Sequence, residues 1–184
     1  MSNTEEQDEF AKYTEGYERY APEPIVFPPA PMQVKESHTV TSGKWHLDAR
    51  GALMEVYRAS WYADRHGPVQ QVYISVTEPG VVKAWHLHMA QTDRFVCVRG
   101  RVLVATCRHG SKNVETVVLD ATKGPQFLHI PPNVAHGWKS IGQSESWILN
   151  LCSHEYNGMD EYRRGAHEGP YEGVPFDWNE KVDG

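Results

Sequence analysis

The sequence predicts an all-β domain that is built as an antiparallel sandwich or a small barrel. From about residue 38 the chain consists of short apolar or alternating runs that are separated by Gly, Pro, Asp and Asn. Alternation with a period of two is typical of strands, and turn residues at regular spacing are typical of sandwiches and barrels. Because no long helical period occurs there, we expect little helix outside the first 20 residues.

Eight segments fit this strand pattern along the chain. They are Ala52–Tyr57, Val69–Val76, Val81–His88, Arg94–Val98, Arg101–Cys107, Val114–Leu119, Phe127–Ile130 and Trp147–Cys152. Gly100 lies between the fourth and fifth segments, and since glycine can take the positive φ of a tight turn, these two segments are predicted to form a hairpin. The core candidates are Ala52, Met54, Val96, Val98, Leu103, Ile148 and Leu151.

The ends of the chain differ in composition from the strand region. Residues 1–37 combine an acidic stretch with five prolines between residues 21 and 32, which predicts an extended N-terminal arm. Residues 38–184 are predicted to be a single domain, because a chain of 184 residues is too short for two ordinary ones. This domain ends in a Gly-rich, charged tail from residue 157 with an aromatic anchor at Phe176 and Trp178.

Charge and composition argue against several classes of partner. The formal net charge is −6 and the basic residues are scattered, so we expect no nucleic-acid partner. No apolar run approaches the roughly 18 residues of a membrane span, so we expect no membrane contact. The acidic start does not resemble a secretory signal, and three cysteines without a C-x-x-C pair indicate buried thiols. We therefore expect a cytoplasmic protein with a small-molecule substrate.

Histidines form the most specific pattern in the sequence. His86 and His88 lie two residues apart, so on a strand they project from the same face, and Asp93 follows five residues later. His136 comes just after a turn that contains two prolines. Together with the flanking glycines, this arrangement resembles the two-part cupin signature. The resemblance implies a cupin jelly roll, a double-stranded β-helix, in which the four side chains converge.

Four sequence blocks resemble the dTDP-4-dehydrorhamnose 3,5-epimerase family within the cupins. They are Asp48–Tyr57, Pro68–Gln71 with Lys83–His86, Ile130–Trp138 and Gly173–Trp178. The resemblance implies an isomerase that acts on a 4-keto-6-deoxy sugar carried on a nucleoside diphosphate. It also implies a homodimer and a reaction that needs no cofactor.

The same resemblance implies roles for individual residues. His86 matches the catalytic base, a role for which the imidazole pKa near neutral pH is suited, and His136 matches a second pocket histidine. Asn150 falls where the family has a tyrosine acid; an asparagine can hydrogen-bond an oxyanion but cannot supply a proton. Tyr73 and Tyr156 could supply the acid instead, although packing is the simpler role for both. The substrate-binding positions are matched by Arg50, Glu55, Gln70 and Lys83.

A metal-dependent cupin is the alternative interpretation. His86, His88, Asp93 and His136 form a set of three histidines and one carboxylate that suits divalent Fe, Mn, Ni, Zn or Cu and leaves positions open for a substrate. In the epimerase family a lysine is expected at position 93, and the aspartate favours the metal. Such a protein would be an oxygenase or isomerase. A third possibility is a cupin that binds a sugar or another small ligand without catalysis, since the acid is missing.

Overall fold

Strands dominate the computed structural model, which describes residues 31–61 and 67–179. This part of the chain contains thirteen strands, numbered β1 to β13 in chain order, and two 3₁₀ helices, Ala59–Trp61 and Ala166–Glu168. The prediction of an all-β fold with little helix is confirmed for these residues. None of the helices in the described ranges is long and apolar enough to cross a membrane. The cytoplasmic location stays a prediction.

Six antiparallel strands form the first sheet. In spatial order they are β1 (Pro31–Val34), β2 (Thr39–Ser42), β10 (Gln126–Ile130), β7 (Asp93–Arg99), β12 (Ser146–Cys152) and β5 (Gln71–Thr77). Strand β5 is therefore an edge strand, and it pairs only with β12 among the described strands.

Five antiparallel strands form the second sheet, which faces the first. In spatial order they are β13 (Glu161–Arg163), β6 (Val82–His88), β11 (Val134–Ser140), β8 (Arg101–Arg108) and β9 (Glu115–Asp120). The remaining strands, β3 (Trp45–Asp48) and β4 (Gly51–Met54), form a hairpin of their own.

The main core fills the space between the two sheets. Phe95, Leu128 and Ile148 from the first sheet pack with residues of the second sheet such as Val104 and Leu119, and all five are at most 1% exposed. Burying side chains of this size stabilises the fold by about 1.5–3 kcal/mol each. The cavity described below opens between these two packed sheets.

The C-terminal segment packs on the second sheet. Trp178 is buried, and its ring centroid lies 5.1 Å from that of Trp85 on β6. Phe176 makes an edge contact with the same indole at 5.6 Å. The predicted aromatic anchor is confirmed. Strand β13, which comes from the same segment, extends the sheet beyond β6 and brings new side chains to the cavity.

The structure corrects the predicted hairpin at Gly100. Strands β7 and β8 lie in different sheets, so Gly100, with φ of 74°, forms a corner between the sheets and not a hairpin turn. A side chain at this position would also come within 2.7 Å of the Ser146 hydroxyl. The glycine is needed for both reasons, and only its backbone conformation could be predicted from the sequence.

Two further differences concern strands β4 and β11. Ala52, a core candidate, is exposed because the β3–β4 hairpin stands apart from both sheets. The other six candidates are buried or pack at the edge of the core. Strand β11, which carries His136, is absent from the eight predicted segments because His136, Gly137 and Lys139 interrupt the apolar pattern.

The division into arm and domain at residue 37 stays a prediction. Residues 1–30, 62–66 and 180–184 lie outside the described residues. Residues 31–34 form strand β1, which pairs with β2 at the edge of the first sheet.

Candidate functional site

One cavity of about 880 Å³ opens between the two sheets. Strands β5 and β7 of the first sheet line one wall, and β6 and β11 of the second sheet line the opposite wall, while residues 154–164 border the cavity. Eight of the residues singled out from the sequence line it together: Gln70, Tyr73, Lys83, His86, His88, Asp93, His136 and Tyr156.

Arg50, Glu55 and Asn150 do not line this cavity. Arg50 pairs with Asp48 at 2.5 Å, and its side chain is 90% exposed on the β3–β4 hairpin. Glu55 pairs with Arg58 at 2.6 Å. Asn150 is completely buried behind the cavity wall, so it cannot contact a ligand directly.

An irregular pairing of β6 and β11 places Lys83 and His86 in the cavity. His136 pairs with His86 and Trp138 with Lys83, so the register shifts between the two pairs. On a regular strand, residues two apart share a face. Without the register shift, Lys83 and His86, which are three residues apart, would point to opposite faces. Gly137 allows the close approach, because a side chain there would lie 2.3 Å from the Ala84 Cβ atom.

His86 has the properties of a base. Its ring contacts the rings of His136 and Trp138 edge to face, with centroid distances of 5.9 and 5.7 Å. Burial, and then the neighbouring His136, lower the pKa of His86 to about 4. The imidazole is therefore neutral at pH 7, and one ring nitrogen has a lone pair that can accept a proton.

His88, Asp93 and His136 form a compact group that we call the cavity triad. The Oδ2 atom of Asp93 lies 3.1 Å from Nε2 of His136 and 3.6 Å from Nε2 of His88. One ligand atom from each residue lies within 4.8 Å of the other two, and this is the arrangement that can hold a metal ion. His86 is not part of this group, so the predicted set of four ligands becomes a set of three.

Backbone carbonyls fix the orientation of both triad histidines. Nδ1 of His88 lies 3.1 Å from the Asp160 carbonyl oxygen, and Nδ1 of His136 lies 3.0 Å from the Val134 carbonyl oxygen. A carbonyl oxygen only accepts hydrogen bonds, so both Nδ1 atoms donate a proton. The Nε2 lone pairs of both histidines therefore face the Asp93 carboxylate. Because these two nitrogens and the Oδ2 atom are all hydrogen-bond acceptors, a cation or an added proton is needed to hold them together.

Asp93 is ionised despite its burial. Burial alone would raise its pKa, but an added proton on Nε2 of His136, donated to Oδ2, and the positive charge of the protonated histidines hold the pKa of Asp93 well below its usual range. The side-chain amides of Gln91 and Asn150 donate to Oδ1 at 2.7 and 2.8 Å. The other oxygen, Oδ2, is left to face the two histidines.

Asp160 was not identified from the sequence. Its carboxylate accepts hydrogen bonds from the backbone N–H groups of Met89, Ala90 and Gln91, and its carbonyl oxygen orients His88. Asp160 lies 72 residues from His88 in the chain, in the segment predicted as a Gly-rich, charged tail. No spacing rule connects such residues, so only the structure reveals the contact.

Comparison with known proteins gives consistent matches. A family model described as dTDP-4-dehydrorhamnose 3,5-epimerase matches residues 32–169. The probable low-salt glycan biosynthesis epimerase Agl13 of Haloferax volcanii is 35% identical over 76% of this chain and 91% of its own length. The spore coat polysaccharide biosynthesis protein SpsL of Bacillus subtilis is 32% identical over 73% of this chain and 89% of its own.

Solved structures confirm the predicted cupin jelly roll. A dTDP sugar isomerase from Desulfovibrio desulfuricans superimposes with a TM-score of 0.71 at 20% identity, over 80% of this chain and 94% of that chain. The rmlC epimerase of Mycobacterium tuberculosis gives a TM-score of 0.68 at 24% identity, over 81% of this chain and 78% of that chain.

Proposed function

The chain belongs to the dTDP-4-dehydrorhamnose 3,5-epimerase family, and on that premise we propose that it epimerises or isomerises a nucleoside-diphosphate 4-keto-6-deoxy sugar. The family and the isomerase class predicted from the sequence are confirmed by the match over residues 32–169. Related epimerases from Streptomyces bikiniensis and Legionella pneumophila bind dTDP-quinovose and dTDP-4-keto-L-rhamnose, which supports a dTDP sugar as the substrate.

The position of the His86 imidazole in the wall of a cavity of about 880 Å³ is the observation that carries this proposal. A proton next to the C4 keto group of the sugar is acidic enough for an imidazole to remove, which leaves an enolate. Lys83 lines the same cavity, and its ammonium group donates to the Ser75 hydroxyl and the Val76 carbonyl oxygen at 2.9 and 2.7 Å. This fixed positive charge, together with Gln70 at the cavity wall, suits an anionic nucleotide sugar.

A homodimer would bring Arg50 and Glu55 to the site. Both residues lie outside the cavity of their own chain, and Arg50 extends from the hairpin into solvent. The neighbouring edge strand β5 exposes Val72, Ile74 and Val76, each at least 42%. An exposed apolar edge strand is a typical pairing surface. We expect a dimeric mass in solution, and a strict monomer at micromolar concentration would contradict the nucleotide-binding role of Arg50 and Glu55.

Solvent exchange tests the role of His86. In deuterium oxide the wild-type protein should introduce deuterium next to the keto group of a dTDP-4-keto-6-deoxy sugar, as followed by NMR. His86→Asn should reduce this rate by about 100-fold or more, because the amide cannot take up a proton. His109→Asn is the matched control, since His109 is exposed and lies outside the cavity. Absence of exchange in the wild type would favour ligand binding without catalysis.

The cavity triad favours a second candidate, a metal-dependent cupin enzyme. Two histidines and one carboxylate with open positions suit divalent Fe, Mn, Ni, Zn or Cu, and a bound cation would balance the converging acceptors of His88, Asp93 and His136. A metal supplies Lewis-acid polarisation of a substrate carbonyl. The epimerase candidate needs no cofactor, so metal content separates the two.

His88→Gln distinguishes the two candidates because they require opposite outcomes. If His86 acts without a metal, the variant should keep most of its deuterium exchange. If the triad holds a catalytic ion, the variant should lose both the stoichiometric metal and the exchange. Elemental analysis of protein purified without added metal, measured beside the exchange rate, gives the answer in one preparation.

A further inference from the structure

Inversion at a carbon atom needs two proton-transfer groups on opposite faces of the sugar. One group removes the proton from one face, and another delivers a proton to the other face. His86 lies on β6 in the second sheet, so its counterpart belongs on the wall formed by the first sheet. This inference rests on the proposed epimerase function.

Three side chains of the first-sheet wall could exchange a proton. They are Tyr73 and Ser75 on β5 and Asp93 on β7. The Ser75 hydroxyl oxygen is bonded by the Lys83 ammonium group, and an alcohol is a weak acid. Asp93 is only 2% exposed, and neighbouring side chains hold both of its carboxylate oxygens: the amides of Gln91 and Asn150 bind Oδ1, and His136 faces Oδ2. The phenol of Tyr73 remains.

Hydrogen bonding leaves the proton of Tyr73 available to a ligand. Tyr73 and Asn150 are direct partners in the pairing of β5 with β12. The backbone N–H of Arg94 donates to Oδ1 of Asn150 at 3.0 Å, which fixes the orientation of the amide. Nδ2 of Asn150 therefore donates to the Tyr73 oxygen at 2.9 Å. Because this oxygen accepts, its own O–H is free to donate elsewhere.

The surroundings of Tyr73 suit an acid that stays protonated until it is used. Burial raises the pKa of its phenol, and the nearby Asp93 carboxylate raises it further. The side chain is nevertheless 40% exposed, so a ligand in the cavity can reach it. Tyr156 also lines the cavity, but it is 69% exposed in the segment between β12 and β13, where no strand pairing holds it.

We propose that Tyr73 is the proton donor opposite His86 and that Asn150 is the residue that positions it. His86 takes the proton next to the keto group, and the C–H electrons form the enolate. The Tyr73 O–H bond then breaks, and its proton forms the new C–H bond on the opposite face as the C=O group is restored. Solvent returns a proton to the phenolate, and the imidazolium loses its proton to solvent.

Tyr73→Phe separates the two proton transfers. In deuterium oxide with a dTDP-4-keto-6-deoxy sugar, the variant should still exchange the proton next to the keto group within about 10-fold of wild type, because His86 is intact. The amount of inverted sugar should fall by about 100-fold or more, since the second face has no donor. Chromatography and NMR of the same sample measure both rates, and the thermal unfolding midpoint checks the fold.

Two matched tyrosine variants complete the test. Tyr162→Phe alters an exposed residue of β13 outside the cavity and should behave like wild type. Inversion that survives Tyr73→Phe, or that is lost in Tyr156→Phe instead, would overturn the assignment while leaving His86 as the base. Absence of exchange in the wild type would overturn the proposed function as well. A variant that loses exchange and inversion equally would also contradict a role for Tyr73 in the second transfer only.

Discussion

Two buried histidine clusters lie between the sheets, and they differ in what their nitrogen atoms face. In the cavity triad, Nε2 atoms of two histidines are directed at one carboxylate beside an open cavity. In the second cluster, which we call the intersheet cluster, Nδ1 of His38 lies 2.7 Å from the Thr106 hydroxyl. Ser37 bonds the same hydroxyl at 2.7 Å and also donates to Glu115.

The intersheet cluster has the features of a packing site. His38 is 2% exposed, and burial lowers its pKa to about 4 against the opposing effect of Glu115. The ring is thus neutral, and its Nδ1 partner is a hydroxyl that can donate or accept. In the triad, by contrast, backbone carbonyls occupy both Nδ1 atoms and leave like acceptors facing one another. The direction of the lone pairs therefore distinguishes a binding site from a packing site, whereas burial does not.

Replacing a triad histidine should have the largest effect. His136→Gln removes one of three ligand atoms, so affinity for divalent zinc or cobalt should fall by about 100-fold or more. Titration with the metal alone measures the affinity. His38→Gln should bind the metal like wild type, and equal losses in both variants would contradict the distinction between the two clusters.

His38→Ala should have the largest effect on stability. The substitution leaves a cavity between the sheets and removes one of the hydrogen-bond partners of the buried Thr106 hydroxyl, which together should lower the unfolding free energy by about 2 kcal/mol. Denaturant unfolding measures this change. His109→Ala is the control, because His109 is exposed. A loss below about 0.5 kcal/mol would show that the intersheet cluster does not stabilise the fold.

Local sequence patterns account for most of the strands but not for their sheet membership. Alternating apolar residues identify β5 to β10 and β12 because one side of each strand packs on the core. Whether two consecutive strands pair or cross between sheets depends on long-range packing. Gly100 illustrates this limit, since its positive φ suits both a hairpin and the corner that the structure shows.

Only those site residues that are related by the two-residue period of a strand could be predicted to lie together. The two-residue spacing of His86 and His88 predicts a shared face, and both residues line the cavity. The register shift between β6 and β11 has no local signal, yet it brings Lys83 to the same cavity. The carbonyl of Asp160 and the pairing of Tyr73 with Asn150 depend on contacts between distant segments, which no sequence pattern encodes.

Asp160→Ala should weaken the triad moderately without removing a ligand. The carboxylate holds the backbone of Met89, Ala90 and Gln91, and so it supports the segment that follows His88. Loss of such outer support typically lowers metal affinity by about 10-fold. The same zinc or cobalt titration applies, with Asp177→Ala as the control on an exposed residue outside the cavity. An unchanged affinity would show that the triad geometry does not depend on Asp160.

The smallest expected effect is a pH dependence of stability that comes from His38. Its pKa is about 4 in the folded protein and 6.5 when unfolded, so the unfolded chain binds the extra proton first. The contribution to stability is complete above pH 6.5 and is lost as the pH falls towards 4. Between pH 7 and pH 6 the unfolding free energy should drop by about 0.7 kcal/mol more in the wild type than in His38→Ala. Burial raises the pKa of the neighbouring Glu115, but hydrogen bonds from Ser37 outweigh this effect and lower the pKa, so Glu115 stays ionised between pH 7 and pH 6. Equal slopes for the two proteins in denaturant unfolding at both pH values would show that His38 is not buried as a neutral ring.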